Sequence, residues 1–252
     1  MPENLLHIAG VSKSFGENQV LKGIDIKVTA GEVVGLLGPN GCGKSTLLNV
    51  ISGFSRASAG SVIFAGEEIT STAVDRIARK GLVRTFQLPS MPRRMTVADV
   101  LQAGKADGSG FRSLFKRSCF DARDVERLLG ELALDHVRDL PAGSLSGGQK
   151  KLLSIALALR TNPRLICLDE PTAGVHPSLR QHMVQLLRRV NAQGVTLLII
   201  EHDMHFIREL CGRCVVLDRG KVIADCAPAD LTLNSSVVEA YLGGARDKRA
   251  YA

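Results

Sequence analysis

The chain has 252 residues, 45% of them hydrophobic and 4% aromatic, which suits one large α/β domain with an attached helical lobe and is too apolar for disorder. Lys and Arg number 32 against 25 Asp and Glu, a formal net charge of +7; that suits an anionic ligand, anionic lipid or nucleic acid, with a simply solvated surface as the plainer reading. The scarcity of aromatics argues against stacking platforms for single strands, and no run approaches the ~20 apolar residues of a membrane-spanning helix.

Met1-Pro2-Glu3-Asn4 lacks the charged and apolar regions of a signal peptide. A cytosolic chain is expected, with any membrane role exercised through a partner. Leu5–Phe15 and Val20–Val28 carry β-branched residues in partial alternation and are split by Gly16-Glu17-Asn18, so two strands are expected. Val33–Leu37 is a short apolar run typical of a buried strand. A helix should begin within Gly43–Thr46 and end near Ser52, with Gly53 closing it.

From about Leu88 to Leu159 the pattern changes. Thr96–Gln102, Asp121–Leu134 and Ser146–Leu159 have helical periodicity, and Gly104–Gly110 reads as a loop. We expect a helical lobe over 88–159, inserted in an α/β core made of 1–87 and 160–243, with 244–252 as a tail. Strand–helix alternation then returns: Leu165–Leu168 and Val195–Ile200 as buried strands, Ser178–Ala192 and Asp203–Leu210 as helices. Val215–Leu217 and Val222–Ala224 form a hairpin around Arg219-Gly220. The fold class expected is α/β, a mainly parallel sheet with an N-terminal antiparallel portion and the inserted helices.

Gly38-Pro39-Asn40-Gly41-Cys42-Gly43-Lys44-Ser45-Thr46 satisfies G-x-x-x-x-G-K-[ST] between a strand and a helix. Glycines let the backbone wrap a phosphate with its N–H groups inward, and the helix start adds partial positive charge. Lys44 should reach the β- and γ-phosphates of ATP, and the Ser45 hydroxyl should bind Mg²⁺. Leu165–Asp169 is a strand ending in a carboxylate at the edge where ligands bind. Asp169 should hold Mg²⁺, and Glu170 should polarise the attacking water. Leu145-Ser146-Gly147-Gly148-Gln149 reads either as a backbone N–H nest for an anion or as an ordinary Ser N-cap with a flexible turn.

Together these motifs resemble the ABC ATPases, over nearly the whole chain from Leu5 to Gly243. The resemblance makes Leu145–Gln149 the signature that binds the ATP of a partner subunit. It gives Gln87 the role of touching Mg²⁺ or water and linking to the membrane partner. It makes His202 the switch residue on the γ-phosphate and Phe15 the ring that stacks on adenine. Ala173-Gly174-Val175-His176-Pro177 stands at the D-loop, where His176 replaces the usual Asp or Asn. Arg84-Thr85-Phe86-Gln87, Ala173-Gly174, Glu201-His202-Asp203-Met204 and Val238-Glu239-Ala240-Tyr241-Leu242-Gly243 look like the ATPases of branched-chain amino-acid importers, with Cys226 departing from the usual Gly. Related members serve urea and short amides.

The resemblance implies ATP hydrolysis in a head-to-tail dimer, with itself or a paralogue. The partners implied are membrane permease subunits and, indirectly, a solute-binding protein, with no direct nucleic-acid partner. The expected place is the cytoplasmic face of the cell membrane. Three alternatives carry different tests: a soluble ABC ATPase acting on nucleic acid or ribosomes, a non-catalytic nucleotide sensor, and the ATPase of an export system. Against the first stand a single domain and no sustained heptads.

Six cysteines occur, at 42, 119, 167, 211, 214 and 226. Cys211 and Cys214 form a lone C-x-x-C that fits no common zinc spacing. Cys42, beside Lys44 and a helix N-terminus, is expected to have a lowered pKa and to react readily with maleimide.

Overall fold

A computed structural model describes residues 4–87, 89–104 and 119–247, with side chains left out of the description at 119–122 and 242–247. In chain order the elements begin with β1 (Asn4–Phe15), β2 (Asn18–Thr29), β3 (Val33–Leu37), α1 (Lys44–Ile51), β4 (Ala59–Phe64), β5 (Glu67–Glu68), α2 (Val74–Arg79) and β6 (Leu82–Arg84). There follow α3 (Val97–Ala103), α4 (Cys119–Glu131), α5 (Gly147–Arg160), β7 (Leu165–Asp169) and α6 (Pro177–Ala192). The last are β8 (Thr196–Ile200), α7 (Met204–Leu210), β9 (Arg213–Asp218), β10 (Lys221–Cys226) and α8 (Ser235–Asp247).

Two compact units divide the chain. The first takes Met1–Arg84, Arg164–Glu170 and Asn191–Ala252; the second takes Thr85–Pro163 and Pro171–Val190. The first unit holds two sheets. One is antiparallel, in the order β2-β1-β4-β5; the other has the order β10-β9-β3-β8-β7-β6 and is parallel except for β10. Every residue of β7 and β8 is buried, which is why both read as unbroken apolar runs rather than alternating ones. A common core joins the sheets through α1, with Leu6, Leu36, Leu47, Phe64 and Leu198 among its members. The β9–β10 hairpin turns at Arg219 and Gly220, both at positive φ (46° and 82°), the two-residue turn whose twist suits a hairpin.

The second unit is helical. Thr96 caps α3 in a reciprocal capping box with Asp99. Arg160 Nε, at the end of α5, donates to the Leu101 carbonyl at 3.1 Å. The loop expected over Gly104–Gly110 lies outside the described residues beyond Gly104, as does the tail after Asp247.

Five elements carried no clear signal in the sequence: β4, β5, β6, α2 and α8. α2 buries only Ile77, so it has no apolar stripe to read. β5 is two residues long, and β4 begins Ala59-Gly60, a pair that reads as a turn.

Candidate nucleotide-binding and catalytic site

Three neighbouring parallel strands, β3, β8 and β7, end at one sheet edge, and their C-terminal ends deliver the phosphate loop, His202, and Asp169 with Glu170. After β3 the chain turns at Gly38, whose φ is +141° and where a Cβ would lie 2.1 Å from the Leu217 carbonyl oxygen. Only glycine fits there. Gly43, at φ 114°, caps α1 with backbone alone and leaves the first turn without an acid to oppose an anion. Lys44 is 6% exposed, and its Nζ donates to the carbonyls of Gly38 (2.7 Å) and Pro39 (2.9 Å). The ammonium thus folds across the loop, within reach of whatever the loop encloses. Asn40, Gly41 and Ser45 are exposed and Thr46 is half-buried.

Asp169 ends β7 with its side chain 9% exposed, and its Oδ2 accepts from Arg84 Nη2 at 2.8 Å. Arg84 Nη1 also donates to Asn49 Oδ1 at 2.6 Å, tying α1 to the strand ends. Glu170 has φ 46°, a left-handed conformation that costs a non-glycine residue of order 1–3 kcal/mol. Its N–H donates to the Ile200 carbonyl at 2.9 Å, and its Oε1 lies 3.1 Å from His202 Nε2. The buried Glu201 carboxylate accepts from the N–H groups of His202 (2.9 Å) and Asp203 (3.3 Å). Asp203 in turn caps α7 by accepting from His205 and Phe206. A strained backbone and a capped turn thus aim two side chains at each other. Arg84, Asn49 and Glu201 were missed as support groups in the sequence; the only cue was a cation closing a strand and an acid closing another.

Phe15 is 55% exposed at the end of β1, with Lys13 Nζ 4.9 Å from its ring centroid. One face of the Phe15 ring thus has a cation over it.

Cys42 corrects an expectation. It is 4% exposed, and burial pushes its thiol up from the ordinary value, outweighing the opposing pull of Lys44. A helix N-terminus and a cation favour thiolate only where water can also reach the sulfur. Burial likewise raises Cys167 and Cys214, each to about 12, and also Cys211 and Cys226. No cluster of three metal-ligating side chains occurs among the described residues.

In the second unit Gln87 is exposed, and the 145–149 segment combines both readings of its sequence. Ser146 caps α5 in a reciprocal box: its Oγ accepts from Gln149 N–H at 3.3 Å, while Gln149 Oε1 accepts from Ser146 N–H at 3.0 Å. Gly147 and Gly148 occupy the first turn, where N–H groups have no intrahelical acceptor. Leu145 is buried and Gly147 exposed. Lys151 Nζ donates to the Ala173 carbonyl at 2.6 Å, fixing the start of the 173–177 segment on α5. His176 takes over a cap: its Nδ1 accepts from Ser178 N–H at 3.3 Å, as an Asp or Asn oxygen does at a helix start.

The family described as "ABC transporter" matches residues 21–173, more than half of the chain. This chain belongs to it. A relative from Methanocaldococcus jannaschii, the probable branched-chain amino acid transport ATP-binding protein LivG, is 38% identical over 95% of this chain and 97% of its own length. The lipopolysaccharide export system ATP-binding protein LptB of Acidithiobacillus ferridurans is 35% identical over 95% and 97%. A crystal structure of the ADP conformation of an ATP-binding cassette of an ABC transporter superposes with a TM-score of 0.80 at 36% identity, covering 96% of this chain and 99% of that one. The α/β fold and ATPase class expected from the sequence are those of this ABC ATPase subunit. Among the described residues no helix is long and apolar enough to cross a membrane.

Proposed function

We propose that this ABC ATPase subunit drives import of branched-chain amino acids or related small solutes, hydrolysing ATP at the edge formed by β3, β8 and β7. The observation that carries the chemistry is Glu170 at 3.1 Å from His202, at the same sheet edge as the phosphate loop. Gly38–Thr46 wraps the phosphates with backbone N–H groups. Lys44 exchanges the Gly38 and Pro39 carbonyls for the β- and γ-phosphate oxygens. Phe15 stacks on adenine. Glu170, as general base, polarises the water that attacks the γ-phosphorus, and the β–γ bridging oxygen leaves with its electron pair on ADP. His202 contacts the γ-phosphate and keeps Glu170 oriented.

Ser45 and Asp169 offer hard oxygen donors of the kind Mg²⁺ takes, so the residues present fit that ion. When bound it supplies positive charge to the phosphate oxygens. Gln87 is assigned to Mg²⁺ or water and to coupling with the permease. Leu145, Ser146, Gly147, Gly148 and Gln149 bind the ATP of a second ATPase subunit, identical or paralogous, in a head-to-tail dimer. Support for that role is the helix N-terminus at Gly147-Gly148, fixed by its capping box. Residues 1–87 and 160–243 are assigned to the nucleotide-binding core and 88–159 to the helical part that meets the permease, although 85–87 and 171–190 cluster with the helical unit. A solute-binding protein acts further out, and the subunit sits on the cytoplasmic face of the membrane.

The importer reading rests on the LivG relative, whose name states branched-chain amino acid transport. The LptB relative, at 35% identity, favours an export role as the second reading. Deleting the gene and measuring uptake of leucine, isoleucine, valine, urea and short amides separates them. Loss of one uptake with an intact envelope supports import; normal uptake with an envelope defect supports export.

A further inference from the structure

The phosphate loop is braced from behind by C-terminal segments of the same unit. The Gly220 N–H, at the tip of the β9–β10 hairpin, donates to the Cys42 carbonyl at 3.1 Å, and the Gly220 carbonyl accepts from Lys22 N–H at 2.8 Å. At the mouth of the loop, the Gly38 N–H donates to the Tyr241 hydroxyl oxygen at 3.0 Å. Tyr241 lies in α8, 203 residues further along the chain. Its ring lines an apolar hollow of about 280 Å³ with Leu37, Met204, Leu231 and Val237, so it rests beside the residue that leads into Gly38. The side chain is 42% exposed as a whole, yet desolvation around its hydroxyl pushes the phenol up from the ordinary value, so it stays neutral at physiological pH. The other side of α8 faces a cavity of about 470 Å³ bounded by Pro39, Cys42, Arg219, Ser236 and Glu239.

Gly38 is therefore held through both of its backbone polar groups. Lys44 takes its carbonyl and Tyr241 its N–H. Lys44 must release the carbonyl to reach a phosphate. Tyr241 has no such second task, so its bond can persist through the exchange. With Lys44 gone from the Gly38 carbonyl, the Tyr241 bond is a tie that keeps the loop entrance fixed to α8, beside the Gly220 brace at Cys42.

We propose that Tyr241 is a positioning residue for the phosphate loop: through the Gly38 N–H, α8 sets how well ordered the loop is before nucleotide arrives. The proposal rests on Gly38–Thr46 being the phosphate site. An ordered loop pays less to bind, and the chemistry at Glu170 is untouched. The effect therefore falls on affinity rather than on turnover.

The test compares the full chain with Tyr241→Phe, which keeps the ring and removes only the hydroxyl, and with Lys44→Met. Mg-ATP binding is measured by titration, kcat at saturating ATP, and hydrogen exchange at the Gly38 amide. For Tyr241→Phe we expect affinity to fall about threefold to tenfold, the scale of one neutral hydrogen bond. We expect kcat within about twofold of the parent, and exchange at Gly38 accelerated by a similar factor. Unchanged affinity and unchanged Gly38 exchange overturn the proposal. A fall in kcat at unchanged affinity overturns it too. Lys44→Met separates the two claims. If that variant binds Mg-ATP like the parent, the phosphate-site reading itself fails. If it loses binding while Tyr241→Phe does not, only the role of Tyr241 fails.

Discussion

The guanidinium of Arg84 and the carboxylate of Asp169 form an ion pair at 2.8 Å with both side chains more than nine-tenths buried. Arg84 closes β6 and Asp169 closes the adjacent β7, so the pair bridges two neighbouring strand ends. The same guanidinium reaches Asn49 on α1, which begins at the phosphate loop. A carboxylate assigned to a metal ion is thus held, in the protein alone, by a fixed cation.

Removing one member of such a pair leaves a buried charge uncompensated, a loss of about 3–5 kcal/mol. Arg84→Met should therefore lower unfolding stability by about 3 kcal/mol, with the slope of the denaturation curve unchanged. Arg84→Met combined with Asp169→Asn should recover part of that loss, because no lone charge remains. Urea titrations of the three variants check this. Additive losses in the double variant would show that the two groups do not interact.

Glu170→Gln keeps the shape and the contact with His202 while removing the negative charge. Turnover should fall by at least about 10²-fold, the scale of losing a general base, with Mg-ATP still bound and an ATP-loaded dimer accumulating. Phosphate release and gel filtration with ATP are the measurements. Hydrolysis at the parent rate would remove Glu170 from the mechanism.

Thiol labelling should follow exposure rather than proximity to the helix start. Of the five cysteines whose side chains are described, Cys226 is half-exposed and Cys42, Cys167, Cys211 and Cys214 are buried. Maleimide should modify Cys226 ahead of these four, and Mg-ATP should slow Cys42 further. Peptide mapping after timed labelling gives the order. Cys42 modified before Cys226 would contradict the burial seen at the loop.

Alkaline stability should carry a thiol contribution. Cys167 is fully buried and pushed up to about 12, chiefly by desolvation, with Arg84 opposing. Above the ordinary thiol value, near 9, the unfolded chain has lost a proton that the folded chain keeps. The contribution is thus whole below pH 9 and is lost as pH rises toward 12. Cys167→Ala should flatten that part of the stability profile. An identical decline in parent and variant would assign it to other groups.

The buried strands β3, β7 and β8, the helices flanking them and the motif residues were all readable, because each combines an apolar run or stripe with a strong boundary signal such as Gly53 or Asp203. Glu170 was legible as an acid following a strand; its left-handed backbone was not, because it accompanies a bond to the β8 carbonyl of Ile200, a residue distant in sequence. The Arg84–Asp169 and Gly38–Tyr241 contacts join residues far apart in sequence, and periodicity carries no such information. The Cys42 expectation failed for the opposite reason. Its local neighbours were read correctly, but burial depends on the long-range core around it.

The strand order also bears on biosynthesis. β1 and β2 meet across a short turn, and β4 joins them soon after. β3 is inserted between β8 and β9, both of which are synthesised long after it. While the protein emerges from the ribosome, the antiparallel sheet can close, but the strand carrying the phosphate loop has neither neighbour. Its open edges stay available to wrong partners or to a chaperone until β8 and β9 have emerged. Nucleotide can therefore stabilise the finished subunit, yet it can do little for the nascent one.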